Sequence, residues 1–509
     1  MKIALLLHFY QPYSQQKDIL DRVVNESYRP LFKGLLANPR AKIIVNIAGT
    51  LTKLLMDNHY QDVIEDIKIL AEKGQIEFTE SSVYHAFLPL IPEKEIERQI
   101  EQNRLLNKKL IGNLYNPVGF FSPEMALNDK IFKIASKLGY KWMPASHLAS
   151  IDGQYEPNFF YKHDKYDLNI FFRNKRVSSL ILSAQVRDAQ SLIDETRDLH
   201  ESEKYWFCVM DAETFGHHRV GHEKVLFDIL RNSFFDPVTI SELLKEVLET
   251  KTVNLRDCTW TNEEQDFHLK GRVNSFVLWK DPTNPIHRMQ WKLTDFVIKN
   301  VNNYVDKKDP KYITARSMLD KAIASDQYWW ASAKPWWSLE MIESGAYSLK
   351  SVLEKLYGNN EKYLNAEKLY RQIMDKAFYW QRSGLIRKRH LQNSNTFMKE
   401  PFKVRAPKEW YNQIILEFED EMNKASQKRD FEKAVKWRDA ILKLDLGTDI
   451  YDVLHVVDEL WSARDLPQVK PFLEHNWDEL SDFAKKYLFD VKTEGELNEW
   501  KKRKEEEKR

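Results

Sequence analysis

The chain has 509 residues and carries 77 Lys+Arg against 76 Asp+Glu, a balance that excludes a broadly basic surface for nucleic acid or for a membrane. It is long enough for two or three domains. No run of 18 apolar residues occurs, and the apolar stretch 3–7 is too short for a signal segment, so a soluble, cytoplasmic protein is expected. Two cysteines, Cys208 and Cys258, are too few for a disulfide framework, and Cys208 reads as a small buried hydrophobe.

The first apolar run, 3–8, ends at Gln11-Pro12 and predicts a buried strand. A helical pattern over 20–36 precedes a second, β-branched strand at 41–47. Helical periodicity returns over 51–56 and 63–73, with Gly74 placed as a C-terminal cap. Strand 76–78 leads into Ser81-Ser82-Val83-Tyr84-His85, an amphipathic helix spans 93–110, and strand 118–121 ends in Ser122-Pro123-Glu124. A helix over 129–138 and strands at 141–144, 168–172 and 205–210 follow, with a further short strand expected at 238–240.

Strands alternating with helices in this way predict a parallel sheet, closed or open. Polar groups recur just past the strand ends: His8, His85, Glu124 and Asp211. That recurrence marks a barrel whose working side chains come from the C-terminal ends of several strands. After about residue 285 strand signals give way to helices, which predicts an all-α region packed on the barrel. Within it, Tyr328, Trp329, Trp330, Trp336 and Trp337 suit either a buried interface or an aromatic wall over a cleft.

The stretch Tyr205-Trp206-Phe207-Cys208-Val209-Met210 breaks into Asp211-Ala212-Glu213-Thr214-Phe215-Gly216-His217-His218. Its acids suit a helix cap or a reactive site. Glu124 and Asp211, each at a strand end, make the pair of carboxylates that glycosidic cleavage requires, one to attack carbon and one to carry a proton.

Five stretches resemble, in order, the five sequence regions of glycoside hydrolase family 57. They are His8-Phe9-Tyr10-Gln11-Pro12; Gly74 to Ser82 with His85, Pro89 and Leu90; Gly119-Phe120-Phe121-Ser122-Pro123-Glu124; Asp211-Ala212-Glu213-Thr214-Phe215-Gly216-His217; and Ser325-Asp326-Gln327-Tyr328-Trp329-Trp330. The resemblance implies an α/β fold, a (β/α)7 barrel over 1–283, followed by an all-α domain over 284–400 that completes the cleft. It implies Glu124 as nucleophile and Asp211 as acid/base, with no cofactor and no metal in the chemistry. His8, Gln11, His85, Phe121, Glu213, His217, Asp326 and Trp329 are the implied substrate-binding shell. Phe121 stands where the family often has Trp, which puts the shape of the nearest sugar subsite in question. The implied substrate is an α-glucan or another oligosaccharide, cut or transferred by an α-amylase or 4-α-glucanotransferase type of reaction.

The C-terminal region 401–509 is helical, and its hairpin 414–444 resembles the UVR motif, which implies a docking surface for a partner protein or a second copy. Two other functions stay open. His8, His85, His217 and His218 with Asp211 would suit a divalent metal in a polysaccharide deacetylase on a similar barrel, although no HExxH pattern occurs. A non-catalytic barrel joined to the helical module would instead be an interaction protein.

Overall fold

The computed structural model describes residues 1–445 except 152–155, 184–185, 247, 263–266, 268–274, 335, 393–402 and 404–407. It divides into two compact units, 1–386 and 387–509. The described strands of the first are β1 (Lys2–Phe9), β2 (Ile43–Ile47), β3 (Ile76–Glu80), β4 (Gly119–Phe120), β5 (Trp142–Ser146), β6 (Phe160–His163), β7 (Asn169–Arg173), β8 (Tyr205–Asp211), β9 (Asp236–Pro237) and β10 (Thr250–Val253).

The sheet runs β10-β6-β7-β5-β4-β3-β2-β1-β8, with β9 beside β1. From β7 through β5, β4, β3, β2 and β1 to β8 every pairing is parallel, which gives seven barrel strands. The row curls until its ends meet: Phe171 lies 6.1 Å from Phe207, and Asn174 donates its backbone N–H to the Phe207 carbonyl at 2.7 Å. Among the described residues no ladder forms between β7 and β8, so closure there rests on that backbone bond and on side-chain packing. The barrel strands read as continuous apolar runs because helices cover their outer faces; every residue from Ile3 to Leu7 is fully buried.

The expected strand at 238–240 is corrected. Asp236–Pro237 pairs with β1, while Thr239 caps a helical turn, Ile240–Leu243, through a reciprocal pair of hydrogen bonds with Glu242. β-branched Val238 and Ile240 suggested a strand, but Thr-x-x-Glu is a helix-start pattern and it won. Strands β6 and β10 were not expected; β6 runs antiparallel to β7 and carries β10 on its other edge.

Helices Pro285–Asn302, Pro310–Ala322, Leu339–Tyr357 and Glu361–Ser383 form the helical part of the first unit. A buried ionic cluster fixes them to the barrel. Arg316 bridges Glu95 and Asp320 at 2.6 and 2.8 Å, and Arg98 reaches Asp320 at 2.7 Å. Buried charges persist only when paired in this way. In the second unit, helices Lys408–Gln427 and Phe431–Asp445 form a hairpin, with Trp437 buried against Phe418 at 5.1 Å. No described helix is long and apolar enough to cross a membrane.

Candidate active site

Strand register sets the floor of the site. His8 pairs with Asn46 on β2 and with Asp211 on β8, and Asn46 pairs with Thr79 on β3. Residues in register across parallel strands point to the same side. One layer at the barrel mouth therefore holds Thr79, Asn46, His8 and Asp211.

Within that layer a directed hydrogen-bond chain can be followed. Asn46 donates through Nδ2 to Thr79 Oγ1 at 2.9 Å, so its Oδ1 accepts from His8 Nδ1 at 2.6 Å. Burial holds the His8 pKa down at about 4 and pushes His85 well below the usual range, so both rings are neutral at neutral pH. His8 Nε2 then accepts from His85 Nε2 at 3.1 Å, and His85 Nδ1 accepts from the Ser325 hydroxyl at 2.9 Å. Ser325 also donates its backbone N–H to the His85 carbonyl at 3.0 Å. The helical region thus locks both imidazoles in one tautomer and orientation.

Glu124 enters from the turn after β4. The short helical turn Pro123–Met125 holds Glu124 at φ +63° and Met125 at φ +45°, both in the left-handed region that costs non-glycine residues roughly 1–2 kcal/mol. Glu124 Oε2 accepts the Trp260 indole N–H at 2.9 Å, and its Oε1 lies 4.0 Å from His85 Nε2. Trp260 is placed by an antiparallel bridge between Leu127 and Cys258.

Burial and then the Asp211 charge raise the Glu124 pKa to about 8, against the pull of the Trp260 hydrogen bond. Burial raises Asp211 to about 6, held back by Arg173. The two acids therefore feel each other across the mouth, and between these values the pair carries one proton and one charge. By titration order the proton rests on Glu124. The hydrogen bonds favour the opposite placement: Glu124 has an N–H donor to stabilise its anion, whereas the Asp211 carboxylate makes no hydrogen bond among the described residues.

Glu213 stands behind Asp211. It accepts hydrogen bonds from the Tyr28 hydroxyl and, at 3.2 Å, from Gln11 Nε2. Burial and the Asp211 charge raise it to about 8. Tyr28 lies in a π-helical turn, Val24–Tyr28, that also sends Ser27 Oγ to the Ala212 carbonyl at 3.0 Å and Glu26 to His217 Nδ1 at 2.6 Å. A wound-out helical turn of this kind is a common way to re-aim side chains at a site.

The implied shell is thus largely brought together. His8, His85, Phe121, Glu124 and Asp211 converge, with Phe121 stacked on His8 at 5.0 Å. Gln11 and Glu213 pair behind them, and Asp326 accepts the Tyr10 hydroxyl at 2.8 Å. His217 is directed to Glu26, and the ring contacts of Trp329 are with Trp330 and Trp336, at 4.8 and 4.4 Å. Tyr10, Tyr28, Asn46 and Trp260 were not among the expected site residues. Tyr10 sat inside the His-x-x-Gln-Pro stretch; Tyr28 and Trp260 gave no local signal. Among the described residues no three His, Cys, Asp or Glu side chains are grouped so as to hold a metal ion.

Residues 5–256 match the family model of glycosyl hydrolase family 57, and residues 412–446 match the UvrB/uvrC motif. The barrel belongs to glycosyl hydrolase family 57, and the second unit carries a UVR-type hairpin. The chain is 27% identical over 219 residues to alpha-amylase 1 of Dictyoglomus thermophilum, covering 42% of this chain and 31% of that protein. It is 25% identical over 280 residues to a putative alpha-amylase of Methanocaldococcus jannaschii, covering 49% of this chain and 57% of that one. The chain therefore spans less than two thirds of either relative. The 4-alpha-glucanotransferase structure from Thermococcus litoralis shares the fold at a TM-score of 0.57, with 18% identity over 70% of this chain and 60% of that one.

Proposed function

We propose that the first unit is a retaining α-glycosidase or glucanotransferase acting on α-1,4-glucans, with Glu124 as nucleophile and Asp211 as acid/base. The observation that carries this reading is the meeting of two half-buried carboxylates at one barrel mouth, the charge of Asp211 raising Glu124 and the Trp260 indole N–H bonded to Glu124. The Glu124 carboxylate attacks the anomeric carbon while Asp211 gives its proton to the departing glycosidic oxygen. Asp211 then takes a proton from water, or from a sugar hydroxyl, as that oxygen breaks the glycosyl–Glu124 ester. His8, His85, Asp326 and Tyr10 contact the sugar at the cleaved bond, and the Trp329–Trp336 stack lines its approach. The relatives' names, alpha-amylase and 4-alpha-glucanotransferase, support α-glucan as the substrate class. The cytoplasm is the compartment proposed, in keeping with two buried free cysteines.

Maltoheptaose is the test substrate. Products longer than the starting chain indicate transfer, and only shorter ones indicate hydrolysis. Glu124→Ala and Asp211→Asn should each abolish both; full activity in either variant refutes the assignment.

A further inference from the structure

Beside the reaction centre, on the far side of Asp326, lies a pocket with about 360 Å³ of space, its open mouth included. Its walls come from the loop after β1 and from three helical segments, through Tyr13, Lys321, Asp326, Gln327, Ser344 and Ser348.

Two features of this pocket have no structural explanation so far. Gln327 is only 4% exposed, and although its Nε2 donates to the Ala322 carbonyl at 2.9 Å, its Oε1 has no partner. A buried amide oxygen left so costs roughly 1–3 kcal/mol. Lys321 lies 5.9 Å from the Tyr13 ring and makes no ion pair among the described residues. Gly345 gives the Gln327 side chain its place: a Cβ there would sit 2.4 Å from Gln327 Cβ and 2.7 Å from its Oε1.

Around that space stand an ammonium donor, an amide oxygen that only accepts, a carboxylate, and three hydroxyls that do both. This mixture suits a neutral polyol better than an anion, which Asp326 and the Gln327 oxygen would oppose. Asp326 also ties the pocket to the reaction centre, because its Oδ2 accepts the Tyr10 hydroxyl and Tyr10 stacks on His85 at 4.0 Å.

We propose that this pocket is a second sugar subsite, holding one glucosyl unit of the glucan at a distance from the bond that reacts, with Gln327 Oε1 and Lys321 Nζ as its hydroxyl partners. The proposal rests on the glucan reading above. Binding energy gained here is remote from the chemistry, and it fixes the chain in register for the carboxylates.

The test fills the pocket from the helix face with Ser344→Leu and Ser348→Leu, positions that avoid the close contact at Gly345. Maltoheptaose binding is measured by calorimetry on chains that also carry Glu124→Gln, and KM on chains that do not. Each leucine should weaken binding about tenfold and raise KM to match, with the melting temperature showing that the variants fold. Binding within about twofold of the parent in both variants overturns the pocket. If the parent binds maltoheptaose but does not turn it over, and the variants lose that binding, the subsite stands and the glycosidase reading falls. If the parent neither binds nor turns it over, both fall.

Discussion

Trp260 holds Glu124 by two hydrogen bonds, its indole N–H to the carboxylate at 2.9 Å and its backbone N–H to the Glu124 carbonyl at 3.2 Å. The second bond fixes a strained turn, and the first stabilises the charge that turn presents. A hydrogen bond to a charged group contributes roughly 1.5–3 kcal/mol. Trp260→Phe keeps a ring and removes the N–H, so kcat/KM on maltoheptaose should fall by about 10- to 100-fold. The pH limb belonging to Glu124 should move upward, since the lost bond favoured the anion. An unchanged profile would show that the indole N–H has no part in the reaction.

Reaction needs the carboxylate pair to hold one proton. Asp211 is raised to about 6 and Glu124 to about 8. The rate should therefore climb as pH rises through about 6, when the pair first becomes charged, and fall through about 8, when its last proton leaves. A kcat/KM profile between about pH 4 and 10 checks both limbs.

The same shift bears on stability. Folding raises Glu124 from its ordinary 4.5 to about 8, so the folded chain holds this proton more tightly than the unfolded chain. The resulting penalty is absent below the unfolded value, grows between the two, and is complete above the folded one. Glu124→Gln removes it while keeping an acceptor for Trp260. The variant should melt a few °C above the parent at about pH 9 and level with it at about pH 4, as read by calorimetry.

Tyr28 is expected to act on the proposed reaction through Glu213, whose carboxylate stands behind the acid/base Asp211. Tyr28→Phe removes the hydroxyl that donates to the Glu213 carboxylate and leaves the ring packed against Phe9. Glu213 should then keep its proton to higher pH, and kcat/KM should drop roughly tenfold, the value of one hydrogen bond. A change in KM or stability alone, with kcat and its pH profile intact, would mark Tyr28 as purely structural.

Gly216 is where the 211–217 loop passes closest to the π-helical turn. It sits at φ +110°, and a Cβ would lie 1.9 Å from the Glu26 carbonyl oxygen. Gly216→Ala should lower stability by about 2 kcal/mol or more and separate His217 from Glu26, as followed by denaturant midpoint and activity together.

Much of this site was legible in the sequence because a barrel imposes a simple rule. An apolar run must stop where the strand leaves the core, and His8, Glu124 and Asp211 stand at those stops. What was not legible came from elements distant in sequence. Trp260 reaches Glu124 from a loop 136 residues away, and Tyr28 reaches Glu213 from a helix 185 residues away. Neither position has a local pattern, since a tryptophan in a polar loop and a tyrosine on an apolar helix face both read as packing. The strands β6 and β10 were obscured for a different reason. They are short and lie outside the seven-strand row, so β10, with two of its four residues exposed, never forms an apolar run.

The central claim is that Glu124 forms the bond to carbon and Asp211 moves the proton, and azide rescue with an activated aryl α-maltooligoside tests it most directly. In Glu124→Ala the nucleophile's face is vacant, so added azide should restore turnover and give the β-glycosyl azide, whereas Asp211→Ala should give the α-glycosyl azide through the intact Glu124 ester. An α-azide from Glu124→Ala, or undiminished turnover by that variant without azide, would contradict the account.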